Sequence, residues 1–166
     1  VTTIGDDNLF MTGSHVAHDC RIGSQTVFAN NGTLAGHVEV QDWARVGAFT
    51  SVHQFCRVGA HAYLGAYSVI TMDALPFATT VGMKPQCYGV NRVGLSRRGF
   101  DDARIRPIEK AIRLLTRSGM NTTQAVEDLA ELAQESEDVR VLIGFVDASE
   151  RGIIKAGRRG SRGGDG

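Results

Sequence analysis

The sequence predicts a left-handed parallel β-helix followed by a C-terminal α-helical domain. An aliphatic or aromatic residue recurs at every sixth position from Ile4 to Ile70, over twelve hexads without a slip. The residue after this anchor is mostly small, as at Gly5 and Ala17. Beyond Pro76 the six-residue period stops, and a later stretch repeats its apolar residues at three- and four-residue steps. A fixed short period is typical of solenoids, and a six-residue period indicates a β-helix.

These patterns divide the chain of 166 residues into four parts. We expect β-helix coils over 1–75, a connecting loop over 76–100, a helical domain over 101–154 and a disordered tail rich in glycine and arginine over 155–166. The chain starts inside the repeat, so we expect it to be the C-terminal portion of a longer protein. A solvated terminus is a better expectation for the tail than an RNA-binding segment.

Three hexads make one coil, so residues eighteen apart should stack about 4.8 Å apart in a column. The stacking gathers five polar side chains along one edge, which is the candidate site: His18, Asp19, His37, His53 and Gln54. Gly36 lies next to His18 in the same column and can leave its N–H open to a ligand. A histidine base beside an oxyanion donor suits acyl transfer.

Pro76 cannot donate a ladder hydrogen bond and ends the β-helix pattern. We expect an irregular connection after it, then a helix that Asp101 caps and that ends near Gly119. Its apolar stripe consists of Ile105, Ile108, Ile112 and Leu115. Pro107 is expected to kink its first turns.

A second helix is predicted over 122–136, with Asn121 or Thr122 as its cap, and a third over 138–149. The helices should pack on one another and cover the open end of the solenoid.

The composition excludes several classes of protein. The formal net charge is zero, so no overall field favours nucleic acid or a membrane surface. No apolar run has transmembrane length, and no signal peptide is visible. The three cysteines lack metal-site spacing, and Cys20 and Cys56, two coils apart, are too far apart for a disulfide. Reduced cysteines used as core fillers fit a cytoplasmic protein.

Two further groups of residues allow alternative interpretations. His18, His37 and His53 could together hold zinc, as in the carbonic anhydrases built on this solenoid, but no clear three-ligand spacing supports this, and we expect no metal. His61 lies on a different face and is expected to be exposed polar surface. Paired arginines suit a diphosphate or the acidic surface of a carrier protein, although a basic helix lead-in is the simpler interpretation. The paired arginines are Arg97 and Arg98, which follow Asn91 in the sequence.

Five segments closely resemble the acyl-[acyl-carrier-protein]–UDP-N-acetylglucosamine O-acyltransferase family, which opens lipid A biosynthesis in Gram-negative bacteria. They are HVAHDC (15–20), NNGTLAGHV (30–38), VHQFC (52–56), GVNRVGL (89–95) and RRGF (97–100). The resemblance extends from residue 1 to about residue 154.

The resemblance implies a mechanism and its residues. His18 would be the general base that deprotonates the 3-hydroxyl of the sugar, Asp19 would orient it, and the N–H of Gly36 would stabilise the oxyanion. Ala66 matches a position that limits the acyl pocket, and a larger residue there shortens the chain that is accepted. Residues implied to contact the sugar nucleotide are His15, His37, His53, Gln54, Asn91, Arg97 and Arg98.

The resemblance also implies partners. The family uses no metal or other cofactor, and its 3-hydroxyacyl donor is carried on the phosphopantetheine of acyl carrier protein. It forms a homotrimer with active sites between subunits, in the cytoplasm, without stable membrane insertion or nucleic acid.

Two departures from the family pattern affect these expectations. Val93 stands where the family has an acidic residue, and the N-terminal coils of the family are absent from this sequence. The alternatives are the N-acyltransferase of the same pathway, a zinc carbonic anhydrase-like protein and a non-catalytic fragment.

Overall fold

The computed structural model describes residues 1–117 and 119–157, which form a parallel β-helix followed by short helices. The predicted fold class is confirmed. The β-helix consists of β1 (Thr3–Ile4), β2 (Leu9–Phe10), β3 (His15–Val16), β4 (Arg21–Ile22), β5 (Val27–Phe28), β6 (Thr33–Leu34), β7 (Glu39–Val40), β8 (Arg45–Val46), β9 (Ser51–Val52), β10 (Arg57–Val58), β11 (Tyr63–Leu64) and β12 (Val69–Ile70).

Strands β1 to β9 each pair in parallel with the strand eighteen residues further along the chain. Ile22 is thus in register with Ile4 on one side and with Val40 on the other. The pairing produces three sheets, and the anchor residues form the interior between them, where Phe28 and Leu34 are fully buried. The predicted eighteen-residue columns are therefore real contacts between successive coils.

The corners between sheets share one unusual backbone conformation. The third residue after each anchor up to Leu64 has a positive φ, 58° at Asp19 and 61° at His37, although L residues avoid this region. The conformation directs the corner N–H to the coil before it, as when His37 donates to the carbonyl of His18 at 3.1 Å. The ladder bond offsets the backbone cost, and the corner side chain remains on the outside of the coil.

Residues 76–100 are more ordered than the irregular connection that the sequence indicated. They contain β13 (Ala78–Val81), β14 (Gln86–Val90) and the short helix α1 (Arg92–Arg97). Strands β13 and β14 form an antiparallel hairpin, and β13 pairs in parallel with β11, which extends one sheet of the solenoid. The prolines and glycines of this stretch stand mostly outside or at the ends of these strands, so they delimit the hairpin instead of preventing it.

The helical domain contains α2 (Asp102–Arg117), α3 (Thr122–Asp128), α4 (Ala130–Glu135) and α5 (Glu137–Asp147). The carboxylate of Asp101 caps α2 by accepting the N–H of Arg104 at 2.8 Å, as predicted. The predicted second helix is instead two helices that meet at the buried Leu129, and Asn121 is the residue that caps the first of them.

The helices pack against the hairpin, and both share one buried cluster that includes Phe77, Cys87 and Ile112. Asp73, which follows Phe55 in its column, is buried and structural. Its carboxylate accepts the N–H of Arg57 at 2.8 Å and the hydroxyl of Ser149 at 2.7 Å, which joins the last coil to the chain after α5. Disorder was predicted for the tail over 155–166, and residues 158–166 of this tail lie outside the described residues.

Candidate active site

The corner residues form three columns along the β-helix, and each column takes its name from one of its members. The Trp43 corner contains Asp7, Gln25, Trp43 and His61; the Tyr67 corner contains Gly13, Asn31, Phe49 and Tyr67; the His37 corner contains Asp19, His37 and Phe55. The predicted site residues fall on all three corners, so one coil of one chain does not bring them all together.

The His37 corner holds the predicted base and its partner. The Nδ1 atom of His18 lies 2.9 Å from Oδ2 of Asp19, within hydrogen-bonding distance. A carboxylate at Nδ1 favours the tautomer that carries its proton there, which leaves Nε2 free to accept a proton.

Gly36 lies directly under the ring of His18. A Cβ atom added at residue 36 would stand 2.7 Å from both Cε1 and Nε2 of that ring, which is closer than any real contact. The ladder uses the carbonyl of Gly36, which accepts the N–H of Phe55 at 3.3 Å. Among the described residues the N–H of Gly36 has no acceptor, because the corner conformation leaves it outside the ladder. A free backbone N–H on the residue that lies against the His18 ring can serve as an oxyanion donor.

His37 completes the cluster without bonding directly to Asp19. Its Nε2 atom is 3.8 Å from Oδ2 of Asp19, and its ring meets that of His18 edge-on at 5.2 Å. The ring of Phe55, one coil further on, stacks on His37 at 4.8 Å. This aromatic contact limits the orientations of His37 and is a feature that sequence reasoning did not single out.

The remaining polar residues on this edge are exposed. His53 lies one coil beyond the cluster, and its Nδ1 atom contacts the carbonyl of Gln54 at 3.2 Å. His15 begins β3 and is exposed, as is Gln54. Within the described residues, the group with metal-site geometry contains two histidines and one carboxylate, and His53 is not part of it. The set of three histidines considered for zinc is therefore not brought together.

Of the three predicted nucleotide contacts that follow the β-helix, Asn91 and Arg98 lie at the Trp43 corner. Asn91 is the N-cap of α1, and its amide donates to the carbonyl of His61 at 3.1 Å. The guanidinium of Arg98 lies 5.4 Å from the Trp43 ring centre and contacts His61, whereas Arg97 is exposed.

His61 differs from the expectation of exposed polar surface. Its ring is half-buried in a stack between Trp43 at 6.0 Å and Phe77 at 5.6 Å. Burial, and then the positive charges of Arg98 and Arg104, lower the pKa of His61 to about 4. The side chain is therefore neutral at physiological pH and serves the packing of the corner against the helical domain.

Ala66 is exposed at the Tyr67 corner. The adjacent ring of Tyr67 stacks on Phe49 at 5.1 Å, and both rings are more than half exposed. An apolar surface with a small residue beside it fits the wall of an acyl-chain pocket.

A basic groove beside α2 was not predicted. A cavity of about 1370 Å³ lies between α2, β14 and the chain after α5. Its lining residues carry positive charges and no negative ones: Lys110, Arg113, Arg117 and Lys155. The first three are spaced by three and four residues on α2, and this spacing is a signal that the sequence contained.

The described part of the chain adds two general facts. None of its helices has the length and apolar character needed to span a lipid bilayer. Its cysteines Cys20, Cys56 and Cys87 are buried free thiols, as expected of core fillers.

The sequence and structure match known proteins over most of the chain. A family profile described as UDP-N-acetylglucosamine O-acyltransferase, domain 2, matches residues 73–154. The acyl-[acyl-carrier-protein]–UDP-N-acetylglucosamine O-acyltransferase of Alkalilimnicola ehrlichii is 48% identical over 155 residues, which is 93% of this chain and 60% of that protein. The protein of the same name from Burkholderia mallei is 44% identical over 159 residues, covering 93% of this chain and 61% of that protein.

Solved structures of UDP-N-acetylglucosamine acyltransferases are similar to this chain in fold. The UDP-N-acetylglucosamine O-acyltransferase of Moraxella catarrhalis superposes with a TM-score of 0.90 at 33% identity, over 93% of this chain and 60% of that one. The Francisella novicida UDP-N-acetylglucosamine acyltransferase gives a TM-score of 0.89 at 32% identity, over 93% and 57%. The chain thus spans about 60% of the length of the curated relatives that it matches.

Proposed function

Since the chain belongs to the UDP-N-acetylglucosamine O-acyltransferase family, we propose that it transfers a 3-hydroxyacyl group from acyl carrier protein to the 3-hydroxyl of UDP-N-acetylglucosamine. This reaction is the first step of lipid A biosynthesis. The observation that carries the proposal is the bond of His18 to Asp19, with Nε2 of His18 placed over Gly36.

The proposed step is an acyl transfer with general-base catalysis. Nε2 of His18 takes the proton of the sugar hydroxyl while the oxygen of that hydroxyl attacks the carbonyl carbon of the thioester. The N–H of Gly36 donates to the oxyanion of the tetrahedral intermediate. When the intermediate collapses, the carbon–sulfur bond breaks and the leaving thiolate takes the proton from His18. Asp19 stabilises the imidazolium that exists between these two events.

We assign the other site residues to binding. His15, His37, His53 and Gln54 would contact the sugar nucleotide near the base. Asn91, Arg97 and Arg98 would contact its nucleotide and phosphates, and Arg97 is the better phosphate ligand because Arg98 is engaged with Trp43 and His61. Ala66 would limit the length of the acyl chain. No metal or other cofactor is required.

The position of these residues on three corners supports a homotrimer. Side chains at different corners of one coil point away from one another, so they cannot surround one ligand within a chain. A closed three-fold assembly would bring the His37 corner of one subunit to another corner of its neighbour. We therefore propose active sites in the clefts between subunits.

The donor is proposed to dock in the basic groove beside α2. Carrier proteins present an acidic surface, and the groove offers Lys110, Arg113, Arg117 and Lys155 without a lining carboxylate. The buried free thiols fit a reducing compartment, and we propose that the reaction takes place in the cytoplasm.

Replacing His18 tests the proposed function. In the full-length gene product, His18→Ala should lower acyl transfer to UDP-N-acetylglucosamine by about 10²- to 10⁴-fold, the usual value of a general base. The trimer, measured by light scattering, should persist, because the His18 side chain is largely exposed. Transfer at the parent rate would refute the assignment of the base, and absence of transfer by the parent protein would refute the function.

A further inference from the structure

The side chains of His18, Asp19 and His37 have a geometry that can hold a metal ion. Each offers one ligand atom, and these atoms all lie within 4.8 Å of one another. Oδ2 of Asp19 is 2.9 Å from Nδ1 of His18 and 3.8 Å from Nε2 of His37. Ligand atoms at the corners of a zinc tetrahedron are about 3.3 Å apart when the bonds are about 2.0–2.1 Å. The two measured separations lie on either side of this value.

We propose that these three residues form an inhibitory site for a divalent transition-metal ion such as Zn²⁺, and that the bound ion blocks the catalytic base. Two imidazole nitrogens and one carboxylate oxygen are ligands that Zn²⁺ prefers. The site would regulate the reaction and would have no part in its chemistry.

The blockage follows from the two nitrogens of His18. A metal ion bound at Nδ1 needs the lone pair of that atom, so the proton that Nδ1 shares with Asp19 leaves. The neutral imidazole then carries its proton on Nε2 instead, with no net change in bound protons. Nε2, which lies over Gly36, is the atom that must accept the proton of the sugar hydroxyl. The metal-bound histidine therefore cannot act as the base.

The ligands are held in place before the ion arrives. Asp19 and His37 occupy equivalent corners of successive coils, and a backbone hydrogen bond of 3.1 Å joins His37 to His18. The stacked ring of Phe55 limits the motion of His37. The ligand atoms, which lie within 4.8 Å of one another, come to zinc-binding distances by rotation of the two imidazoles.

Cobalt binding tests the site without reference to activity. After treatment with a chelator, the full-length protein should take up one Co²⁺ per chain, with the visible absorption of a protein-bound ion. His37→Gln removes one ligand and should weaken binding by about tenfold or more. His53→Gln is the matched control, since His53 is an exposed histidine one coil further on, and it should bind Co²⁺ like the parent. Equal affinity in His37→Gln, or an equal loss in His53→Gln, would overturn the site.

Inhibition tests the blockage, and this part depends on the proposed function. Zn²⁺ should inhibit acyl transfer, and a chelator should restore it. The inhibition of each variant is measured relative to its own metal-free rate. On this scale, His37→Gln should need about tenfold more Zn²⁺ for half inhibition than the parent. His53→Gln should need the same Zn²⁺ concentration for half inhibition as the parent, whatever its metal-free rate. Occupancy of the site without inhibition would overturn the blockage. A metal-free protein without any transfer would contradict the proposed function, and the cobalt titration would still decide the site.

Discussion

The ring of His18 lies against the backbone of Gly36, so closely that a single added carbon at residue 36 would meet Cε1 and Nε2 at 2.7 Å. His18 is largely exposed and can swing away, and Gly36 does not have a positive φ. Gly36→Ala should therefore leave the free energy of unfolding within about 1 kcal/mol of the parent. The displaced base and the covered N–H should lower kcat by about 10²-fold or more.

Gly144→Ala is the matched control for this substitution. Gly144 lies in α5, and nothing lies within 4 Å of an added Cβ. The change should raise the free energy of unfolding by about 0.5–1 kcal/mol, because alanine favours the helix, and should not alter kcat. Steady-state kinetics and urea unfolding measure both variants. Parent-like kcat in Gly36→Ala would contradict the assigned roles of His18 and Gly36.

Asp19 is predicted to set the tautomer of His18. In Asp19→Asn the amide can donate to Nδ1, which moves the imidazole proton to Nε2 and removes the base. We expect kcat to fall by about 10³- to 10⁴-fold, as when a triad carboxylate is replaced by its amide. Asp7→Asn changes a carboxylate at the equivalent position of the Trp43 corner, where the preceding residue is an aspartate, and should leave kcat unchanged. A loss of similar size in both variants would indicate a structural effect.

The repeat explains how much of the site the sequence could predict. A six-residue period fixes which residues stack, so the neighbourhood of His18, Gly36 and Gln54 follows from counting. The period alone does not show that the corner residues have a positive φ. The positive φ at Asp19 and His37 decides which side chains project outward and which N–H groups leave the ladder.

The region after Pro76 was predicted less well, because its signals are local and ambiguous. The strand residues Ala78–Val81 are bounded by Pro76 and Gly82, which indicated a loop, yet β13 finds a partner in β11. His61 was misjudged for a related reason: its burial comes from Phe100 and Phe77, which lie beyond the repeat. The residues that make such long-range contacts do not follow a periodic pattern in the sequence.

Ala66 is predicted to limit the acyl chain. Ala66→Gly should shift the preference towards longer 3-hydroxyacyl donors, and Ala66→Met towards shorter ones, because the side chain would narrow the pocket beside Tyr67. Rates with carrier proteins that bear different chain lengths measure this preference. Ala60→Met, at the equivalent repeat position next to another corner, should leave the preference as in the parent. A parent protein that already prefers the longest donors would contradict the restriction by Ala66.

His61 predicts how stability depends on pH. Its pKa falls from 6.5 to about 4 on folding, mainly through burial and then through Arg98 and Arg104, while Asp138 and Asp42 oppose the shift. Between these two values the unfolded chain binds a proton at His61 that the folded chain does not. The free energy of unfolding should therefore decrease as the pH falls through this range, and the contribution should level off below about pH 4.

His61→Phe keeps an aromatic ring in the stack and removes the titrating group. Urea unfolding at about pH 7.5 and about pH 4.5 should show a smaller loss of stability for this variant than for the parent. His53→Phe, at an exposed position, should keep the loss that the parent shows. An unchanged pH dependence in His61→Phe would contradict the effect of burial on His61.

The basic groove beside α2 is predicted to bind the acyl donor. Arg113→Glu reverses one charge in the groove and should raise the KM for the acyl carrier protein by about tenfold at low salt. The KM for UDP-N-acetylglucosamine should not change, because the groove is distant in sequence and separate in structure from the His37 corner. Added salt should reduce the difference between variant and parent, since exposed charges are screened. Arg106→Glu reverses an exposed charge of the same helix outside the groove lining and should leave both KM values unchanged. Equal increases in the donor KM for Arg106→Glu and Arg113→Glu would indicate a general charge effect and would contradict docking in this groove.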